Sequence, residues 1–381
     1  MDRKSNFNFL SGILIFIIFL VGCSSISGDN SNVEIPWKHS AVFLDSTRID
    51  KLKKRIEEKS EPNYQAWLEV KKNCDKGLSL DPNPVGKWAI PGFYDGQDAH
   101  EQLVEGLHRD TTLAYEEALC FRILGDSRYA KQSIRIINAW TNILKESDPS
   151  FVDTKLSMNE FFVPMIVAAD LLESFSLFTN NDKLKFKKFI RDVILPLNTM
   201  EPKKNNHANW GVLLVLSIAV YLDDLVLFEK AEARFKDLME IQIAADGTML
   251  MEYERSDTKN WHGGMTKGKR GIWYSNYSLM AMTLGAEIFR LNGRDFFNYQ
   301  SSTGKSIQLA YKKIADWSRH PEKFPFYQLN KGHLKGVSAV SYFEILNQIW
   351  SDPNASELLK NLRPLTSDAG VPNLTLTHGG F

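Results

Sequence analysis

The stretch DTTLAYEEALCFRILGDSRYAKQSIRIINAW, Asp110–Trp140, decides the fold class. Ala114, Ala118 and Phe121 recur at i, i+4 and i+7 along Thr111–Leu124, with Leu113 beside them. Gly125-Asp126 then breaks the pattern, and Tyr129–Leu144 resumes it through Ala130, Ile134 and Ile137. Apolar residues at this spacing share one face of a helix, and a Gly-Asp break between two such runs marks a turn. The stretch therefore predicts a helical hairpin.

Similar patterns predict helices near 49–75, 158–178, 181–198, 210–222, 225–243, 272–291, 303–317 and 338–350. Short punctuation separates them: Asn180-Asn181-Asp182, Asp223-Asp224 and Asn292-Gly293. Strand-like alternation is scarce, and no repeat of fixed period is visible. The reading is an all-α chain of roughly ten or more helices. Stacked antiparallel hairpins arranged as a solenoid or toroid would bury helices that are apolar on two sides. Pro82–Gln97, with Trp88, Phe93 and Tyr94, reads as a long aromatic loop, either packed on the surface or edging a substrate site.

At the other end of the argument stands the N-terminus. Asp2-Arg3-Lys4 precedes an apolar run from about Phe9 to Val21, which ends in Leu20-Val21-Gly22-Cys23. A charged n-region, a short apolar core and a small residue before the cut describe a secretory signal, and the run is short for a membrane-spanning helix. The cysteine placed there resembles a bacterial lipoprotein signal, which implies cleavage after residue 22 and lipidation of Cys23. The expected organisation is signal peptide 1–22, flexible tether 23–40 and one helical domain 41–381. The expected location is periplasmic or cell-surface, anchored to a bacterial membrane through Cys23.

Formal net charge is zero, so no global field recruits nucleic acid, and an anion must be held by local clusters. Beyond Cys23 only Cys74 and Cys120 remain, too few for a disulfide framework; their pairing is not legible in sequence. The eight histidines show no paired metal-ligand spacing, and no cofactor is expected.

Two polar clusters stand out. EPKKNNHANW, Glu201–Trp210, places Lys203, Lys204, Asn205, Asn206, His207 and Asn209 before an apolar helix. One asparagine would suffice as a helix cap; three with a histidine exceed that need. DGTMLMEYERSDTKNWHGGMTKGKRGIWYSNYSL, Asp246–Leu279, contains Glu252, Arg255, the basic run Lys267, Lys269 and Arg270, and Tyr274 and Tyr277 three residues apart on one helix face. A solvated basic loop and amphipathic packing are the plain alternatives.

The order Asn-Asn-His before Trp, then Asp-Gly, Glu-x-x-Arg and Tyr-Ser at a helix start, resembles the alginate lyase family of polysaccharide lyases. Asp110–Trp140 and SMNEFFVPMIVAADLLE, Ser157–Glu173, are similar to that family's early helices. The likeness extends over most of Leu44–Ile349. It implies an α/α barrel, an incomplete toroid of antiparallel helical hairpins, and β-elimination on a uronic-acid polymer without a cofactor, with mannuronate-rich alginate as the family default. By the same resemblance Asn206, His207, Arg255 and Tyr274 are the catalytic candidates. Asn159, Lys203, Trp210, Arg270 and Tyr277 are the substrate-binding candidates, and the partner is an acidic polysaccharide.

The chemistry suits these residue types. An asparagine amide and an arginine fork offset the uronate carboxylate, which otherwise opposes loss of the C5 proton. His207 can donate or act as base, and Tyr274 can take the C5 proton or protonate the leaving oxygen. One departure from the family is plain: some dozen extra residues separate Arg255 from Tyr274. Asp246-Gly247 and Glu252 match the family's pattern around Arg255, so Arg255 is the preferred carboxylate holder and Arg270 the reserve. Two other classes compete. A non-catalytic glycan-binding lipoprotein would share the tether and aromatics. An α/α-barrel hydrolase would need a carboxylate pair, for which Asp95, Asp98 and Asp110 are available.

Overall fold

The computed structural model describes residues 39–260 and 262–380. The expected signal peptide, Cys23 and all but the last residues of the expected tether lie outside them. Fourteen α-helices make up the domain: α1 (Ser46–Glu57), α2 (Asn63–Gly77), α3 (Gln97–Leu124), α4 (Ser127–Ile143), α5 (Thr154–Phe161), α6 (Val163–Leu171), α7 (Asn180–Phe189), α8 (Asn206–Tyr221), α9 (Leu225–Gln242), α10 (Gly271–Leu291), α11 (Ile307–Arg319), α12 (Phe343–Ile349), α13 (Pro353–Leu362) and α14 (Leu374–His378). Among the described residues the strands are minimal: β1 (Lys87–Trp88) pairs in parallel with β2 (Glu146–Ser147).

Hydropathy sorts the helices into two layers. In α8 and α10 nearly every residue is buried, polar ones included, so both must be covered all round. α6 is buried along most of its length, and α3 along its second half. These four form the inner layer, packed in the order α3, α6, α8, α10. α4, α9 and α11 each bury one face and pack outside α3, α8 and α10, while α7 packs on α4. The C-terminal helices α12 and α14 pack together, and α14 also meets α1 and α2. The result is an α/α barrel of antiparallel hairpins.

Several boundaries differ from the sequence pattern, each for a local reason. α3 begins at Gln97 rather than Thr111, because in its opening turns only Val104 and Leu107 are buried and no apolar stripe marks them. The expected helix near 49–75 divides around Pro62, and that near 158–178 divides into α5 and α6, with Pro164 in the first turn of α6. The expected helix near 338–350 starts only at Phe343, leaving Ser338–Ser341 as a loop. α13 and α14, short and partly polar, had no expectation. Cys74 of α2 and Cys120 of α3 form a disulfide between neighbouring helices.

Two close backbone approaches place the site. A Cβ on Gly211 of α8 would lie 2.2 Å from Met200 N and 2.6 Å from Thr199 C. A Cβ on Gly271, the first residue of α10, would lie 2.0 Å from Tyr253 O. Only glycine lets these segments meet. Gly211→Ala is expected to destabilise the domain by about 1–3 kcal/mol through overpacking against backbone, read as a lowered melting temperature with the helical circular-dichroism signal intact.

Candidate active site

α8 and α10 both begin at one cavity of about 810 Å³. Both helix N-termini therefore direct a positive dipole end toward it, a setting that favours anions. Asn205 is the N-cap of α8 but makes no side-chain cap bond. A carboxylate from elsewhere does that work. Glu252 Oε1 accepts from Asn206 N at 2.7 Å and from Asn206 Nδ2 at 2.8 Å, and Glu252 Oε2 lies 3.8 Å from Arg255 Nη1. Glu252 is fully buried; burial raises its pKa to about 7 against the lowering pull of Arg255 and Asn206. Asn206 keeps its second amide hydrogen for a ligand, and its Oδ1 has no partner among the described residues.

His207 follows on the same turn and lines the cavity. Burial first, then the charges of Lys203 and Arg255, lower its pKa to about 3, so the imidazole is neutral at working pH. Arg255 lies with its guanidinium carbon 3.8 Å from the centre of the Tyr274 ring. The Tyr274 hydroxyl is 2.9 Å from that of Tyr94, in the Pro82–Gln97 loop. Burial pushes the Tyr274 phenol well up; Arg255 and Arg270 pull the other way, and Tyr94 adds to the rise. Tyr274 thus holds its proton while His207 lacks one.

The segment between Arg255 and Tyr274 explains why both arginines reach the cavity. The loop leaves after Arg255 and returns so that Gly268 N donates to Glu254 O at 2.9 Å and Arg270 N to Arg255 O at 3.0 Å. Arg270 then lies over Phe93, Tyr94 and Trp273, at 5.2, 5.8 and 5.7 Å from their ring centres. The loop also sends Lys259 to an ion pair with Asp95, across from the aromatic segment.

The structure brings Asn206, His207, Arg255, Arg270, Tyr274 and Tyr277 onto one cavity wall. Three substrate-binding candidates are not on it. Asn159 is fully buried, and its amide links α5 to Leu197 O at 2.9 Å and to Thr199 N at 3.1 Å. Trp210 is fully buried behind Tyr277, rings 4.9 Å apart, and Trp273 stacks on Tyr277 at 4.8 Å, so Trp210 props the wall rather than forming it. Lys203 is exposed beyond the cavity and reaches His207 only through its charge. The basic run is also less cationic than its sequence, since Lys267 pairs with Glu254 at 2.9 Å and Lys269 with Asp257 at 2.7 Å. Of the hydrolase candidates, Asp110 is consumed by Asn83 N at 2.6 Å and Trp140 Nε1 at 2.8 Å. Asp98 is exposed in the first turn of α3.

Sequence reasoning named Glu252 and Tyr94 without giving either a place among the site residues, and missed Trp273, His100, Asp153 and Glu160; all six line or brace the cavity. The aromatic loop was the signal for Tyr94 and the Glu-x-x-Arg pattern that for Glu252. Glu160 lay inside an expected helix and Asp153 outside any, and neither carried a mark of a shared cavity.

The family model for alginate lyase matches residues 47–324. A polysaccharide lyase of Stenotrophomonas maltophilia (strain K279a) is 29% identical over 122 residues, 32% of this chain and 32% of that protein. The match thus spans about a third of this curated relative's length. Alginate lyase A1-III of Sphingomonas species A1 superposes with a TM-score of 0.71 at 17% identity, covering 91% of this chain and 97% of that one. A variant of alginate lyase A1-III complexed with a tetrasaccharide gives 0.72 at 17% identity, covering 91% and 97%. An alginate lyase from Bacteroides ovatus gives 0.66 at 15% identity, covering 90% and 100%. At these identities the solved structures establish the α/α-barrel fold.

Glu252 carries a testable linkage. Its raised pKa contributes stability that is full below about 4.5 and is lost as pH rises through about 7. Glu252→Gln keeps the shape and the acceptor without the charge. Its stability relative to wild type is therefore expected to improve between pH 5 and pH 8, by an amount on the order of 3 kcal/mol, measured by denaturant unfolding at both pH values.

Proposed function

The chain belongs to the alginate lyase family, and from that premise we propose that it cleaves a uronic-acid polymer by β-elimination, with mannuronate-rich alginate the first substrate to test. The observation that carries this reading is the Arg255 guanidinium stacked at 3.8 Å on Tyr274, beside a neutral His207 and the open amide hydrogen of Asn206. A uronate carboxylate held by Arg255 and Asn206, at the positive ends of α8 and α10, has its charge offset. The C5–H bond then weakens, because the extra charge that develops on the carboxylate meets fixed donors.

The resting proton states support one division of roles. His207, a neutral imidazole with one ring nitrogen open, accepts the proton from C5. The C5–H electron pair becomes the C4=C5 double bond as the C4–O bond breaks. The departing oxygen takes the proton that Tyr274 holds, and solvent returns the proton from His207 to Tyr274. The product carries a 4,5-unsaturated end, and no oxidant or hydrolytic water is consumed. One observation favours a different reading: Asp153 and Glu160 place two carboxyl groups in the same cavity, the equipment of a glycoside hydrolase. Saturated products would establish that alternative, and binding without cleavage would establish a glycan-binding role.

Location is proposed from the sequence alone. Leu20-Val21-Gly22-Cys23 behind a charged n-region supports a lipid anchor on Cys23 and a periplasmic or cell-surface site of action. Cys23→Ala is expected to abolish fatty-acid labelling and leave uncleaved precursor; unchanged labelling would refute the anchor.

Activity is checked with a panel of uronans, following the absorbance of the new double bond. Tyr274→Phe is expected to lower kcat roughly 10²–10⁴-fold with little change in substrate binding, whereas Tyr277→Phe stays near wild type. His207→Ala is expected to be as severe as Tyr274→Phe. Because His207 loses its proton near pH 3 and Tyr274 keeps its own, kcat is expected to stay level from about pH 5 to pH 8 in Glu252→Gln, which lacks the group that titrates near 7 beside Asn206 and Arg255. A kcat that climbs steadily with pH across that range would instead make Tyr274 the base.

A further inference from the structure

The cavity has a second wall on which the elimination makes no demand. Glu160 of α5 is only 8% exposed and lines the cavity, yet nothing among the described residues hydrogen-bonds its carboxyl. Its one electrostatic neighbour of note is Asp153. Asp153, also 8% exposed, accepts from Phe93 N at 2.7 Å and lies 3.5 Å from His100 Nε2. His100 Nδ1 is buried without a partner among the described residues. Neither Lys nor Arg figures in the surroundings of Glu160 or Asp153, in contrast to His207 and Tyr274, which feel Arg255.

The buried His100 Nδ1 has no protein partner among the described residues, and the Glu160 carboxyl lines the cavity without a protein hydrogen bond among them, so both are left for what enters the cavity to satisfy. A sugar carboxylate is the wrong guest. It would join two carboxyl groups with no cation to offset it. Sugar hydroxyls fit: Asp153 and Glu160 accept from them, a protonated Glu160 donates to them, and His100 Nδ1 does either. We propose that Glu160, with Asp153 and His100, forms a subsite that holds free vicinal hydroxyls of a pyranose ring, while the Arg255 side holds the uronate carboxylate. The subsite makes Glu160 a specificity-determining residue: a polymer whose ring hydroxyls are O-acetylated loses its donors and adds bulk where the wall is closed. This inference rests on the uronan reading above, and its test separates the two.

The test measures the affinity of the full chain for a defined uronan oligosaccharide and its O-acetylated counterpart by titration calorimetry, alongside cleavage of both. Glu160→Leu matches the volume and removes every hydrogen bond; Glu160→Gln restores donor and acceptor. Wild type is expected to bind the O-acetylated ligand about tenfold or more weakly than the free one. Glu160→Leu is expected to weaken binding of the free ligand about tenfold, to raise KM more than it lowers kcat, and to erase most of the discrimination. Glu160→Gln is expected to recover binding. Equal affinity of wild type for both ligands, or a folded Glu160→Leu variant that binds and discriminates as wild type does, overturns the subsite while leaving the lyase reading intact. Should Glu160→Leu not fold, the wild-type ligand comparison and Glu160→Gln decide alone. Saturated products with a normal Glu160 effect would overturn the lyase reading and keep the subsite, and absence of binding to any uronan would overturn both.

Discussion

The contact between Glu252 and the first turn of α8 holds the site together. One carboxylate oxygen receives both the backbone N–H and the side-chain amide of Asn206, and the other faces Arg255. A helix start needs an acceptor for its open N–H groups, and in α8 the N-cap side chain does not supply it. Glu252 does so from a turn far along the chain. The same group thereby sets the height of Asn206 and His207 against Arg255. Loss of that carboxylate would take the acceptor from a buried helix end and the facing charge from Arg255 together, which is why a single side chain has this reach.

From that point the electrostatics divide the cavity. Around α8 and α10 the positive helix ends, Arg255 and Arg270 create a region suited to a carboxylate, and in it a histidine stays neutral and a tyrosine stays protonated. Around α5 acids take the place of arginines: Asp153 and Glu160 are buried, and His100 Nε2 lies 3.5 Å from Asp153. A neutral chain can thus gather cations at one place in a cavity and acids at another. Local charge, not net charge, decides what a glycan meets.

The loop after Arg255 shows how a long excursion can leave two arginines side by side. It departs and rejoins through hydrogen bonds to Glu254 and Arg255, so the backbone at Arg270 lies beside that at Arg255. The choice between two arginines, which the linear spacing had posed as alternatives, becomes a pair: Arg255 against Tyr274, and Arg270 against the aromatic loop at Phe93 and Tyr94.

What the sequence determined by itself was periodic or local. Helical hairpins follow from apolar residues at i, i+4 and i+7, and the density of Asn, His and charge before Trp210 flags a site because one cap does not need so many polar groups. Tyr274 and Tyr277 share a face for the same reason of helical spacing, and both reach the cavity. Long-range placement was decided only by the tertiary structure. Asn159 and Trp210 look like site residues in a motif, yet packing turns Asn159 toward Leu197 and Thr199 and seats Trp210 behind Tyr277. Tyr94, Asp153 and Glu160 come from segments far from the motifs, and join the site because the barrel's curvature brings the ends of α3, α5, α8 and α10 to one cavity. Periodicity records which face of a helix is apolar; it does not record which other helix end lies across from it, because that depends on the packing of the whole ring.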